Sequence, residues 1–306
     1  MKQVTLGFVP TRRNIFSAPA AVEYADLTRK RLEQLGVRVR LTPGEERNFK
    51  VTTPLDLQLA RLLAAPCRSL DFTRPQVRQQ ELNFCQSDLV VLGTPVYAGR
   101  VPNVLLPFLR EKVRGGGALA VPVVLFGNRN YDDALIELRD ILQQDGFRCV
   151  AAGAFVGEHS FSRTLGAGRP DDGDMAGQAA FAREICEKLA GQAGTENTPV
   201  AVRGETPIRP YYTPRDRHGN PINILKVKPK TDPDRCGGCG LCAARCPMGS
   251  IDPADVSQVK GICIKCCACV KGCPSGAKYF DDAGYLYHQH ELEEIYARPA
   301  RNALFL

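Results

Sequence analysis

No run in these 306 residues approaches the ~18 consecutive apolar residues of a membrane-spanning helix. The opening stretch, MKQVTLGFVPTRRNIF, also lacks the uninterrupted apolar segment of a secretory leader. These two absences weigh against a membrane-spanning helix and against a disulfide framework, because disulfides persist in oxidising compartments. The expectation is a cytoplasmic protein. Nucleic-acid motifs are missing as well, so the net charge of +7 reads as a basic surface suited to acidic redox partners. At 44% hydrophobic residues the chain has enough apolar material for a folded core. Its length suggests about two domains.

Cysteine is abundant and unevenly placed. Of 13 cysteines, nine lie between Cys236 and Cys273. Cys67, Cys85, Cys149 and Cys186 are scattered singly and read as small buried hydrophobes. The clustered ones form two runs, CGGCGLCAARCP from Cys236 to Pro247 and CIKCCACVKGCP from Cys263 to Pro274. Both follow C-x2-C-x2-C-x3-C-P, the bacterial ferredoxin spacing for a pair of [4Fe–4S] clusters. Short spacers set three thiolates on one loop, and the fourth reaches the other cluster. This rule assigns Cys236, Cys239, Cys242 and Cys273 to one cluster and Cys263, Cys266, Cys269 and Cys246 to the other. Gly237, Gly238 and Gly240 suit a backbone wrapped closely round sulfide. Structural zinc also uses C-x2-C pairs, but eight cysteines in two matched runs fit it poorly. Cys267 is a ninth thiol that breaks no spacing and reads as a filler beside the ligands.

The preceding two thirds read by period. Ser87–Gly93, Val121–Gly127 and Phe147–Gly157 are continuous apolar runs of the kind buried parallel strands require. VTLGF near the start is another strand, followed by a helix with Ala21, Ala25, Thr28, Leu32 and Leu35 inward. Val101, Leu105, Phe108, Leu109 and Val113 make one helical stripe, and Leu135, Leu138, Ile141 and Leu142 a second. Asp132 and Asp133 are placed favourably at the start of the latter helix, and Met175–Leu189 is a further helix. Alternating strands and helices imply a doubly wound α/β sheet, which binds ligands beyond the carboxyl ends of its strands. Two loops there, Gly93–Pro102 and Gly127–Asp133, begin with glycine and carry a tyrosine. Tyr97 or Tyr131 is either a stacking face for a flat cofactor or a residue packed on its own helix. Glu158 and His159 read as parts of a structural loop, and Arg163, Arg169 and the RPDDGD stretch as a solvated one.

The phrases SDLVVLGTPVYAGRVPN, LFGNRNYDDALIEL and AGAFVGEHSFSR, followed by the two cysteine runs, resemble the EFR-type family of flavodoxin–ferredoxin fusions. The resemblance implies a flavodoxin-like domain joined to a small α+β ferredoxin domain with two [4Fe–4S] clusters. It implies FMN flanked by Thr94, Pro95, Tyr97, Gly99, Gly127, Asn128 and Tyr131. The chain departs from that pattern at the phosphate loop. VPTRRNIFSAPA and FKVTTPLDLQLA lack the Gly-bearing loop that grips an FMN phosphate. Thr52 and Thr53, or Arg12, Arg13 and Ser17, are the nearest substitutes.

The expected division is a flavodoxin-like domain over 1–190, whose residues 1–43 are an atypical N-terminal unit. A Pro-rich connector follows over 191–230, then the ferredoxin domain over 231–306. Thr198–Arg235 holds seven of the 22 prolines and reads as semi-rigid. The tail YLYHQHELEEIYARPARNALFL reads as a short helix and an apolar segment that docks on the body. An electron carrier, a flavin-dependent reductase and a ferredoxin with a ligand-free sheet domain all remain open at this point. A redox protein partner is expected, but no donor or acceptor is indicated.

Overall fold

The apolar runs form fully buried strands. Asp88–Pro95 and Leu119–Phe126 are buried at every residue, as strands covered on both faces must be. A computed structural model describes residues 3–8, 67–191 and 198–306. In chain order the first half holds strands β1 (Gln3–Phe8), β2 (Cys67–Asp71), β3 (Leu82–Asn83) and β4 (Asp88–Pro95), then helix α1 (Leu106–Lys112). These are followed by β5 (Val113–Arg114), β6 (Leu119–Phe126), α2 (Ala134–Gln144), β7 (Arg148–Cys149), β8 (Ala152–Val156) and α3 (Asp172–Ala190). Strands β2, β1, β4, β6 and β8 lie side by side in that order, all parallel. This is the flavodoxin-like 2-1-3-4-5 order, with its switch point between β1 and β4.

Alternation along the strands divides the core. Val90 and Leu92 of β4 pack with Leu105, Leu109, Leu138 and Leu142 on the α1/α2 face. Leu89 and Val91 pack with Phe155, Phe181 and Ile185 on the α3 face. Every residue of the two helical stripes named above is buried. The segment Phe147–Gly157 is broken into β7 and β8 rather than forming one strand. Helix α3 starts earlier than Met175, because Asp171 and Asp174 form a reciprocal capping box there. The expected helix over Ala21–Leu35, and Arg12, Arg13, Ser17, Thr52 and Thr53, lie outside the described residues.

The second half contains β9 (Lys230–Thr231), α4 (Leu241–Ala244), α5 (Ala268–Lys271), β10 (Lys278–Tyr279), α6 (Ala283–Ile295) and β11 (Ala303–Phe305). Strands β9 and β10 pair antiparallel, which gives the small α+β ferredoxin-type unit. The connector is tied to the sheet domain. Val200 N–H donates to Cys149 O (3.0 Å), Tyr211 Oη to Val101 O (2.7 Å) and Tyr212 N–H to Ala98 O (2.8 Å). Strand β11 returns to the first sheet and pairs antiparallel with β8, so the tail docks through backbone hydrogen bonds. Arg169, read as solvated from sequence, is instead mostly buried. It pairs with buried Asp174 and donates to Ala300 O (3.2 Å), which anchors the returning tail. No helix among the described residues is long and apolar enough to cross a membrane.

Candidate metal centre and strand-end loops

The two cysteine runs fold as structural repeats. Each threads a loop and enters a one-turn helix, α4 after Gly240 and α5 after Cys267. Both loops use left-handed backbone at the same two steps, Gly238 (φ 66°) and Gly240 (φ 69°) in the first, Lys265 (φ 54°) and Cys267 (φ 55°) in the second. Glycine adopts that conformation without steric cost. A side chain there costs about 1–2 kcal/mol, so Lys265 and Cys267 occupy strained positions. The fourth cysteine of each run accepts a backbone N–H four residues on, Ser250 N to Cys246 Sγ (3.3 Å) and Ala277 N to Cys273 Sγ (3.2 Å). Such N–H···S bonds stabilise thiolate ligands and tune cluster potentials.

A shallow hollow opens beside the second run. Cys263, Cys266 and Cys269 line it, and so does Cys246 from the first run. Ile251, Ile262 and Phe280 complete an apolar wall. No group of three or more His, Cys, Asp or Glu among the described residues converges as the ligands of one ion do. Thiolates on separate irons of a cube need not converge in that way. Cys267 lines the hollow as well; the four motif sulfurs there, soft donors against an apolar wall, suit a [4Fe–4S] cluster. Burial pushes the Cys266 and Cys269 thiols up to about 12 and raises those of Cys263 and Cys242. Iron would have to displace those protons, so assembly releases them. At Cys273 burial also acts upward but is outweighed by hydrogen bonds from Ser275, Lys278 and Ala277, which leave the thiol below its ordinary value. Of the remaining first-run cysteines, Cys236 is half-buried and Cys239 exposed. Cys267 is buried, its thiol pushed up to about 12 by burial, and it bonds Tyr285 Oη at 3.2 Å.

The strand-end loops are only partly arranged as the sequence suggests. Thr94 is fully buried, and its Oγ1 has no hydrogen-bond partner, an orphan polar atom at the carboxyl end of β4 beside Pro95. Tyr97 is half-buried, and the charges acting on its phenol come from Cys266, Cys263 and Cys267 on one side and Arg78 on the other. Burial, more than these charges, raises its pKa. Tyr97, in the loop after β4, thus lies within electrostatic reach of the second cysteine run. Gly99 (φ 79°) abuts Asp132, and a Cβ on Gly127 would lie 2.7 Å from His159 Cα, so both positions are held to glycine by close approach.

The side chains of two expected flavin contacts are engaged elsewhere. Tyr131 lies in the core with its ring 5.4 Å from that of Phe126, so it offers no open face. The Asn128 side chain donates to Tyr296 O (2.8 Å) and Arg298 O (3.0 Å) and accepts from Ala300 N (3.0 Å). The tail thus takes up its hydrogen-bonding groups. Asp133 is likewise more than a helix-end charge. It is fully buried, accepts from Glu205 N and from Arg209 N and Nε, and pairs with Arg209 Nη2 at 2.5 Å. The Arg209 side-chain bonds hold its carboxyl down at about 2. Glu158 lies 3.8 Å from Lys271, and Lys271 donates to His159 O (2.6 Å). Burial first, then Lys271, lowers His159 to about 4, so that ring is neutral at pH 7 and the loop serves as domain contact.

The model of the 4Fe-4S binding domain matches residues 229–252, which contain the whole first cysteine run. No curated protein matches the sequence. Among solved structures, 63% of the chain is similar to 37% of rubredoxin oxygen:oxidoreductase from the anaerobe Desulfovibrio gigas, at 11% identity and TM-score 0.30. A span of 61% of the chain is similar to 90% of the apo form of the NADH:FMN oxidoreductase EmoB, at 16% identity and TM-score 0.30. The fold assignment rests on the strand order. The motif and the sheet define a class: an iron–sulfur electron-transfer protein in which a flavodoxin-like unit and a ferredoxin unit share one chain. At least one [4Fe–4S] cluster belongs to it.

Proposed function

We propose that this chain is an electron carrier of the EFR-type fusion kind, holding two [4Fe–4S] clusters and exchanging electrons with a redox protein partner. The observation that carries the reading is Cys246, which leaves its own run to share a hollow with Cys263, Cys266 and Cys269. That grouping supports crossed ligation, with Cys236, Cys239, Cys242 and Cys273 left as the second set. Clusters bound there would supply one-electron transfer. The residues themselves position the thiolates, donate N–H groups to Cys246 and Cys273, and exclude water with apolar walls. The flavodoxin-like unit to about residue 190, the connector to 230 and the ferredoxin unit from 231 are the working division, with β11 belonging to the first sheet.

A flavin at the strand ends is the finer part of the proposal. It is supported by the orphan hydroxyl of Thr94 and by Tyr97. Bound flavin would link one- and two-electron chemistry. A phosphate loop supplies charge-assisted hydrogen bonds of ~1.5–3 kcal/mol each, and losing two weakens binding ~100-fold. Riboflavin is therefore expected to bind within about tenfold of FMN, and Tyr97→Ala to weaken both. Anaerobic protein showing the broad visible absorption of its clusters is titrated with each compound. Tight FMN binding with little riboflavin binding would point to an unread phosphate site. Binding of neither would support a ferredoxin whose sheet domain takes no flavin.

A further inference from the structure

The two cysteine loops share a backbone but differ in what surrounds them. In the first, a Cβ added at Gly237, Gly238 or Gly240 would meet nothing within 4 Å. That loop faces open space, and Cys239 is exposed. In the second, the step equivalent to Gly238 is Lys265, only 7% exposed and in left-handed backbone. Its Nζ donates to Leu225 O of the connector (2.8 Å) and to Cys263 O (3.1 Å). A buried ammonium thus stands beside the second ligand set, at a position where the first loop has hydrogen. The N–H···S bonds to Cys246 and Cys273 are matched and so do not distinguish the sets. Lys278 acts on both Cys242 and Cys269. The cations near Cys273 are Arg235, exposed and lying against Gly276, and half-buried Arg245, which donates to Gly272 O. Lys228, also exposed, lies near Cys263. Charges toward water are screened, whereas a buried one is not.

Resting on the two-cluster reading, we propose that Lys265 makes the cluster of Cys246, Cys263, Cys266 and Cys269 the more readily reduced of the pair. Reduction adds negative charge to a cluster, and a buried cation beside it favours the reduced form. Electrons arriving at the open glycine loop then move inward, toward Tyr97 and the ends of the sheet. The protein strand exposed to a partner is the first loop, and the acceptor side is the second.

The test is a potentiometric titration of the full, cluster-loaded chain followed by electron paramagnetic resonance. Wild type is expected to be reduced in two steps. Lys265→Gln should lower the upper step at least tenfold in its reduction equilibrium, about 59 mV for one electron, and leave the lower step in place. Lys265→Arg should keep both. In a Cys239→Ala background, where only the second cluster remains, the single step should move in the same way on Lys265→Gln. Eight irons per chain with no shift, with equal shifts of both steps, or with a shift of the lower step alone would overturn the role of Lys265. A count of four irons in wild type would instead remove the two-cluster reading on which it rests.

Discussion

Cys246→Ala is expected to cost the protein the cluster of the second run, 17 or more residues downstream, and to spare that of its own near neighbours. The variant should resemble Cys266→Ala in its magnetic resonance spectrum, and Cys242→Ala should resemble Cys236→Ala. The reason is geometric. Pro247 follows Cys246, whose sulfur accepts from Ser250 N–H and lines the hollow with Cys263, Cys266 and Cys269. Cluster binding energy is also folding energy for a loop with so little regular structure. Loss of one ligand should therefore loosen the loop that shares the hollow, at Cys263–Cys269. Iron analysis should fall toward half in each variant. If Cys246→Ala and Cys242→Ala lose the same cluster, crossed ligation is wrong.

The second large effect lies in the sheet domain. Glu137 is 1% exposed and is held by Arg100 in a bidentate pair, Nε to Oε2 at 2.7 Å and Nη2 to Oε1 at 2.6 Å. Val101 N–H also donates to Glu137 Oε2 (2.9 Å), and Arg100 Nη1 reaches Arg209 O of the connector (2.6 Å). The guanidinium lies 4.8 Å from the centre of the Tyr211 ring. Arg100→Ala leaves a buried carboxylate without its counter-charge, which costs about 3–5 kcal/mol. Replacing Glu137 with Met in the same chain should return most of that loss, because the uncompensated charge is gone. Urea unfolding of the single and double variants measures both. A single variant within about 1 kcal/mol of wild type would show that water reaches Glu137.

Much of the fold is legible because local pattern encodes local structure. The runs at β4 and β6 are apolar on both faces since both are covered. The stripes through Leu105–Leu109 and Leu135–Leu142 have helical period since one side of each helix meets the sheet. Cysteine spacing is equally local, so both cysteine runs can be read directly. Captures across the chain have no such signature. Asp133 sits where a helix-end acid belongs, yet its partner is Arg209 in the connector. Asn128 sits in a loop resembling a flavin contact, yet its side chain is used by Tyr296–Ala300. Tyr131 carries an aromatic ring in a glycine-led loop, but the loop folds the ring inward onto Phe126. Lys265 is obscure in the sequence for a different reason. Its signal was present in the alignment of the two runs, where Lys and Cys replace Gly238 and Gly240, and it becomes meaningful only once positive φ is seen at all four.

The central claim is that both cysteine sets are cluster sites. Anaerobic assay of iron and acid-labile sulfide in the reconstituted full chain tests it most directly. About eight irons and eight sulfides per chain are expected, two cubes of four each. About four of each, or stoichiometric zinc in place of iron, would contradict it.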